Sequence, residues 1–231
     1  MENTLETQNQ PEPQDISREG LSLEKLFHFF RLFNPANNHA IAKVSAFHLI
    51  DIARINELLG TNFKGIILDF DECVAPHHGE ITQENADALI EMIKSKIKVV
   101  IYSNMEKGPR YDALIQRVLE ETGYEIKVIT SKYSKPDQRG FNEAKTALNL
   151  EEDEDVVMIG DNFVTDGGSI HAGIPFIKVD PIKTEEPFHK KAKRVFQTGT
   201  RSMHSGISNS YDKLGGRKVI RDNDLLEQAT V

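Results

Sequence analysis

The sequence predicts a doubly wound α/β fold, a mostly parallel sheet with helices on both faces. Three observations predict it. Short continuous apolar runs recur between turn residues, as strands buried on both faces require. Helix-period segments separate those runs, and such alternation indicates right-handed parallel crossovers. Polar residues capable of chemistry stand directly after the runs, where an open parallel sheet builds its site.

Residues 1–20 are rich in Glu, Gln, Asn and Pro and are expected to be disordered. Leu23, Leu26, Phe27, Phe30 and Phe33 then recur at spacings of three and four, which predicts an amphipathic helix that Pro35 ends. Its simpler reading is packing on the domain; the sharper one is a helix lying in a membrane interface. A further helical stretch is expected over 39–59, so that 21–60 forms a helical segment packed on the core. From Lys64 the rhythm changes, and Gly-Ile-Ile-Leu-Asp reads as the first buried strand. Helical residues at 81–95 lead to a strand at Lys98–Tyr102, and a helix at 109–122 leads to Ile126–Ile129. A helix at 138–148 precedes the strand Asp155–Ile159, with the acidic run at 151–155 a solvated loop. A last short helix near 166–172 leads to the strand Pro175–Val179. These elements make one domain over 61–183, and 184–231 is expected to be a basic, loosely ordered tail.

The 231 residues, 39% hydrophobic and 28% charged, exclude collagen-like, coiled-coil and wholly disordered chains. A lone cysteine, Cys73, excludes a disulfide scaffold and a cysteine-built zinc site. No run approaches the roughly 18 apolar residues that a membrane span needs. The polar, acidic N-terminus is unlike a secretory signal, so a cytoplasmic protein is expected. The net charge of −8 is uneven: residues 188–221 hold nine Lys/Arg against Asp212 alone. Such asymmetry marks a tail that can meet an anionic partner, and peripheral attachment to an anionic membrane surface is a further expectation.

The strand ends carry one consistent set of groups. Asp69, Asp71, Glu72 and Cys73 follow the first strand, Ser103-Asn104 the second, Lys135-Pro136 the third, and Gly160-Asp161 with Thr165-Asp166 the fourth. Converging carboxylates repel one another unless a hard cation neutralises them, and oxygen-only ligation suits Mg²⁺. A lysine and hydroxyl or amide donors beside them match the remaining oxygens of a phosphoryl group. One carboxylate can then act as nucleophile while a second exchanges protons, so metal-assisted phosphoryl transfer is the expected reaction class. Asp161 and Asp166 could also serve as helix caps, but capping explains neither the upstream carboxylates nor Lys135.

The order of motifs (apolar strand–DxD, strand–SN, K-P, strand–GDxxxTD) resembles the haloacid dehalogenase (HAD) superfamily of phosphohydrolases, over roughly residues 64–180. The resemblance implies a Rossmann-like HAD core, subfamily IIIA. It implies Asp69 as nucleophile and Asp71 as general acid/base, its carbonyl on Mg²⁺. It also implies Ser103, the Asn104 backbone and Lys135 as phosphate-binding groups. Asp69, Asp161 and Asp166 complete the implied metal site. The family usually places Thr where Cys73 stands; a small packed residue is the simpler reading of that thiol. His77 and His78 are expected either to do nothing specific or to rim the pocket, and His171 is expected to be structural.

Asp71 to Ser103 and Ser103 to Lys135 are both 32 positions, each filled by one helix, one strand and ordinary loops, which leaves no room for a cap domain. An uncapped mouth suits a phosphate borne on something large. The Asp-x-Asp-acidic-Cys run followed by Ala75-Pro76-His77 is most similar to the phosphatidylglycerophosphate phosphatase subfamily. That resemblance implies a Mg²⁺-dependent phosphatase acting on a lipid headgroup. The alternatives are a nucleic-acid end, a phosphoprotein or a small metabolite, nucleic acid being disfavoured because the tail has no interleaved aromatics.

Overall fold

The structure is a computed structural model that describes residues 26–27, 30–34, 38–104, 108–151, 154–183, 188–215 and 218–226, with backbone alone for 188–198. The stretch expected to be disordered, 1–20, lies outside the described residues, as do Leu23 and Pro35. In chain order the strands are β1 (Ala42–Val44), β2 (Phe63–Leu68), β3 (Lys98–Ile101), β4 (Lys127–Val128), β5 (Asp155–Gly160), β6 (Phe176–Val179) and β7 (Ile220–Arg221). They form one all-parallel sheet in the order β4-β3-β2-β5-β6-β1-β7. The helices are α1 (Ile52–Leu59), α2 (Gln83–Lys94), α3 (Pro109–Thr122), α4 (Gln138–Leu148), α5 (Phe188–Gly215) and α6 (Asp222–Leu226). Short 3₁₀ turns occupy Phe47–Leu49 and Asp166–Ala172.

Side-chain alternation along the strands sorts the core into two layers. Ile66 and Leu68 join Val99, Ile101, Val157 and Ile159 on one face, which Ile55, Leu89, Ile90 and Val118 cover from α1, α2 and α3. Ile67 joins Val100 and Met158 on the other, beneath Phe141, Ala144 and Leu148 of α4. Both faces of the central strands are apolar, which is why they read in sequence as continuous runs. Helix ends follow local chemistry. Asp51, Thr82 and Asp137 accept backbone amides at the starts of α1, α2 and α4, and Gly60 and Gly123 end α1 and α3 with φ of 66° and 71°. Among the described residues, the loops after β2 and β3 carry no inserted domain, so the fold is the expected doubly wound one without a cap.

Two expectations are corrected and a third is met in part. The stretch 39–59 is not one helical segment: Ala42-Lys43-Val44 forms β1, between β6 and β7. Three residues are too few to display a period, and pairing with those strands decides their conformation.

The region from 188 is not a loose tail but α5, β7 and α6. Polar contacts hold α5: Lys43 Nζ donates to Ser208 Oγ (2.6 Å), Asn209 Oδ1 (3.0 Å) and Asp212 Oδ2 (2.5 Å). Asn38 Nδ2 donates to the His204 carbonyl (3.2 Å), and the Tyr211 hydroxyl to the Phe33 carbonyl (2.7 Å). Glycine, serine and threonine recur through 198–210, and their low helix propensity is what made this stretch read as a tail.

Finally, the first predicted helix packs on the domain only in part, through Leu32 and through Phe33 against His204 of α5. Leu26, Phe27, Phe30 and Phe33 are 40%, 69%, 62% and 44% exposed, while Leu32 is buried.

Candidate active site

The parallel sheet brings the four predicted strand ends together. β2 ends at Leu68, and the next amide, Asp69 N, donates to the Ile159 carbonyl of β5 (2.9 Å), which sets Asp69 beside Asp161. Lys135, in the loop before α4, reaches across with Nζ 2.6 Å from Asp69 Oδ1 and 2.6 Å from Asp166 Oδ1. The second oxygen of Asp166 accepts the Asn162 amide (3.0 Å), so the carboxylate is held on both sides. Asp166 is therefore committed to Lys135, and the 3₁₀ turn it begins has no side-chain cap.

Asn104 does something the sequence did not indicate. Its side chain donates to the Lys135 carbonyl (3.3 Å) and accepts the Lys135 amide (2.7 Å), clamping the backbone that carries the lysine. Ser103 is buried nearby and hydrogen-bonds with Tyr111.

Carboxylate oxygens of Asp69, Asp161 and Asp166 lie within 4.8 Å of one another, and all three residues are buried. Burial first, then repulsion from Asp166, pushes the Asp69 carboxyl well above the usual carboxylate range. Asp161 is raised by burial to about 7, against the downward pull of Arg201. Burial pulls Lys135 down, but the carboxylates of Asp166 and Asp69 more than compensate and raise it above its usual range. Buried oxygens forced together in this way suit a hard divalent cation. The charge balance agrees. Asp69, Asp71, Glu72, Asp161 and Asp166 face Lys135, Arg110 and Arg201, which leaves two formal negative charges.

Asp71 stands apart from the trio. Arg110, at the start of α3, grips it with two parallel bonds, Nη1–Oδ1 at 2.5 Å and Nη2–Oδ2 at 2.6 Å. That guanidinium also lies over the Phe70 and Tyr111 rings, 5.1 and 4.9 Å from their centroids. Burial works to raise Asp71, but the Arg110 bonds and the His78 amide (3.0 Å) outweigh it and hold the carboxyl below its ordinary range. His77 Nδ1 is 4.0 Å from the same carboxylate oxygen. Cys73 is fully buried, and burial followed by the neighbouring Asp69 charge pushes its thiol well up, so it is held as a packed thiol.

Sequence reasoning missed Arg110 and Arg201. Arg201, on α5, bonds the buried Glu72 and lies 3.2 Å from Asp161 Oδ2. Neither arginine follows a strand, and neither belongs to a local motif.

The profile of the mitochondrial PGP phosphatase family matches residues 23–168, which is more than half of the chain and includes Asp69, Asp71, Ser103, Asn104, Lys135, Asp161 and Asp166. The chain belongs to the mitochondrial PGP phosphatase family. As a member of that family it is a phosphomonoester hydrolase. Among curated proteins none matches the sequence significantly.

Three solved structures align distantly with this PGP phosphatase family member. The core domain of a provisionally named phosphoglycolate phosphatase from Streptococcus pneumoniae is 17% identical, with a TM-score of 0.37 over 60% of this chain and 98% of that one. A mutant thermostable p-nitrophenylphosphatase from Bacillus stearothermophilus is 16% identical, with a TM-score of 0.22 over 74% of this chain and 64% of that one. The 4-nitrophenylphosphatase from Thermotoga maritima is 14% identical, with a TM-score of 0.23 over 72% and 64% respectively. The family match, not these alignments, carries the assignment.

Proposed function

We propose that this PGP phosphatase family member is a Mg²⁺-dependent enzyme that removes the terminal phosphate of a lipid headgroup such as phosphatidylglycerophosphate. Asp69 attacks phosphorus and forms an aspartyl-phosphate while the ester oxygen departs with a proton from Asp71. Asp71 then takes a proton from the water that attacks the phosphoryl group; inorganic phosphate leaves and the Asp69 carboxylate returns. Ser103 and the Asn104 amide receive the non-bridging oxygens, and Lys135 offsets charge between phosphate and nucleophile. Asp69, Asp161 and the Asp71 carbonyl would hold Mg²⁺ directly, with Asp166 behind Asp161 acting through water, and the ion would supply electrostatic stabilisation of the transferring group. In the pair with Arg110, Asp71 is ionised, the form that accepts a proton; the donating form arises when substrate loosens that pair.

The observation that carries this reading is Lys135 at 2.6 Å from both Asp69 and Asp166 beside buried Asp161. The test is phosphate release with Mg²⁺ from phosphatidylglycerophosphate vesicles, phosphorylated oligonucleotides, sugar phosphates and phosphopeptides. The vesicles are expected to turn over fastest, and chelation or Asp69→Asn to remove about 10³-fold or more of the rate. Turnover that survives Asp69→Asn overturns the nucleophile assignment.

A bilayer-borne substrate calls for a peripheral membrane protein, since no described helix is long and apolar enough to cross a membrane. The exposed Phe27 and Phe30 and the basic residues between 188 and 221 support that attachment. Family membership supports a mitochondrial setting over the cytoplasmic one expected from sequence.

A further inference from the structure

We infer that Arg201 of α5 is a positioning residue for the acidic centre: it fixes Asp161 in the orientation that cation binding needs, so that docking of the C-terminal helix completes the site. The inference rests on the metal-assisted reading above and extends it to a residue outside the family-matched span of 23–168.

Asp161 is 3% exposed, and its Oδ2 receives no hydrogen bond among the described residues; Arg201 Nη1 faces it at 3.2 Å as its ion partner. A carboxylate that ligates through one oxygen swings unless the other is held, and partners of this kind generally orient metal ligands. Arg201 is itself anchored on the buried Glu72. Glu72 is fixed through its backbone at a φ of 63°, its amide donating to the Ala75 carbonyl (2.7 Å) and its carbonyl accepting the Ile182 amide (2.7 Å). The line Asp161–Arg201–Glu72 thus ends on the same short loop that carries Asp69 and Asp71. The following turns of α5 are tied to β1 through Lys43, which holds the helix carrying Arg201 against the sheet.

A simple counter-charge predicts the opposite of a positioning residue. Removing a cation from beside an acidic cluster strengthens its electrostatic pull on Mg²⁺, whereas removing an orienting partner weakens binding.

The experiment titrates the full chain with Mg²⁺ by calorimetry and records Tm with and without the ion. It compares wild type, Arg201→Met, Arg201→Lys and Glu72→Gln, with Ile55→Val in the remote core as a control for general destabilisation. Arg201→Met is expected to weaken Mg²⁺ binding about 10- to 100-fold and to shrink the Mg²⁺-induced rise in Tm. Arg201→Lys should fall between, because it restores charge without the planar fork. Ile55→Val should lower Tm and leave Mg²⁺ binding unchanged. Unchanged or tighter Mg²⁺ binding in Arg201→Met overturns the inference, whereas a wild type that binds no Mg²⁺ overturns the metal-assisted reading beneath it. If Arg201→Met does not fold, wild-type Mg²⁺ affinity in both Arg201→Lys and Glu72→Gln overturns the inference instead.

Discussion

A methyl group added at Gly160 would lie 2.4 Å from Asp166 Oδ2 and 2.5 Å from its Cγ, closer than real contacts allow. Asp166 has nowhere to retreat, because Lys135 and the Asn162 amide hold its two oxygens. Gly160→Ala is therefore expected to cost about 1–3 kcal/mol of stability and to push Asp166 off Lys135, cutting phosphate release at least about tenfold. Chemical denaturation and a turnover assay check both; wild-type turnover would mean that Asp166 has slack. Arg110 poses a question of sign. Asp71 is held below the ordinary carboxylate range, so the pair stabilises the fold fully above the unfolded-chain value of about 3.9. That contribution is lost as pH falls through the lower, folded value. Arg110→Met leaves only the His78 amide and the nearby His77 against burial and is expected to cost about 2 kcal/mol at pH 7, with the gap to wild type closing under acid conditions. Urea denaturation at the two pH values measures it; a gap that persists in acid would show that Arg110 acts through packing on Phe70 and Tyr111. The seven strand-end residues were legible because topology fixes where the ends of parallel strands go. Arg110 and Arg201 were not, since a partner 39 or 129 positions away leaves no mark on local pattern.

At the scale of the element, α5 depends on one lysine. Lys43 and Asp212 lie 2.5 Å apart with side chains 8% exposed each, and Lys43 also bonds Ser208 and Asn209. Lys43→Met leaves the Asp212 charge buried with only Arg221, 3.7 Å away, to offset it. A loss of about 3 kcal/mol is expected, with faster amide exchange in 200–213 while α2 and α3 keep their protection. Uniformly faster exchange would instead mean that α5 does not open as a separate unit. This polar docking also explains why the element was misread. The helices at 83–94, 109–122 and 138–148 bury apolar side chains, whereas the described part of α5 buries His204 and Ser208, and its glycines, serines and threonines resemble a loop in a composition count. β1 hid for a different reason. Its lysine faces the sheet side that α5 covers, which breaks an already short apolar run.

Over the whole molecule, the central sheet was readable because strands covered on both faces must be apolar throughout. The flanks were not, because β1, β7 and α5 owe their places to each other. Those flanks also set the molecule's outward character. Phe27 and Phe30 stand exposed on the N-terminal segment, and Phe33 lies against His204 of α5, with ring centroids 5.5 Å apart. The aromatic segment and the basic helix therefore meet on one side of the protein. In a headgroup layer each buried Phe contributes about 1.5–3 kcal/mol, and each nearby Lys or Arg about 1 kcal/mol against an anionic leaflet. Flotation with anionic liposomes is thus expected to recover the protein, less so at high salt. Replacing Phe27 and Phe30 together by Ser should lower the partition coefficient at least about tenfold with little change in Tm, because both rings are mostly exposed. Equal recovery of that variant and wild type would separate the aromatic segment from membrane attachment and leave the basic helix to account for any binding that remains.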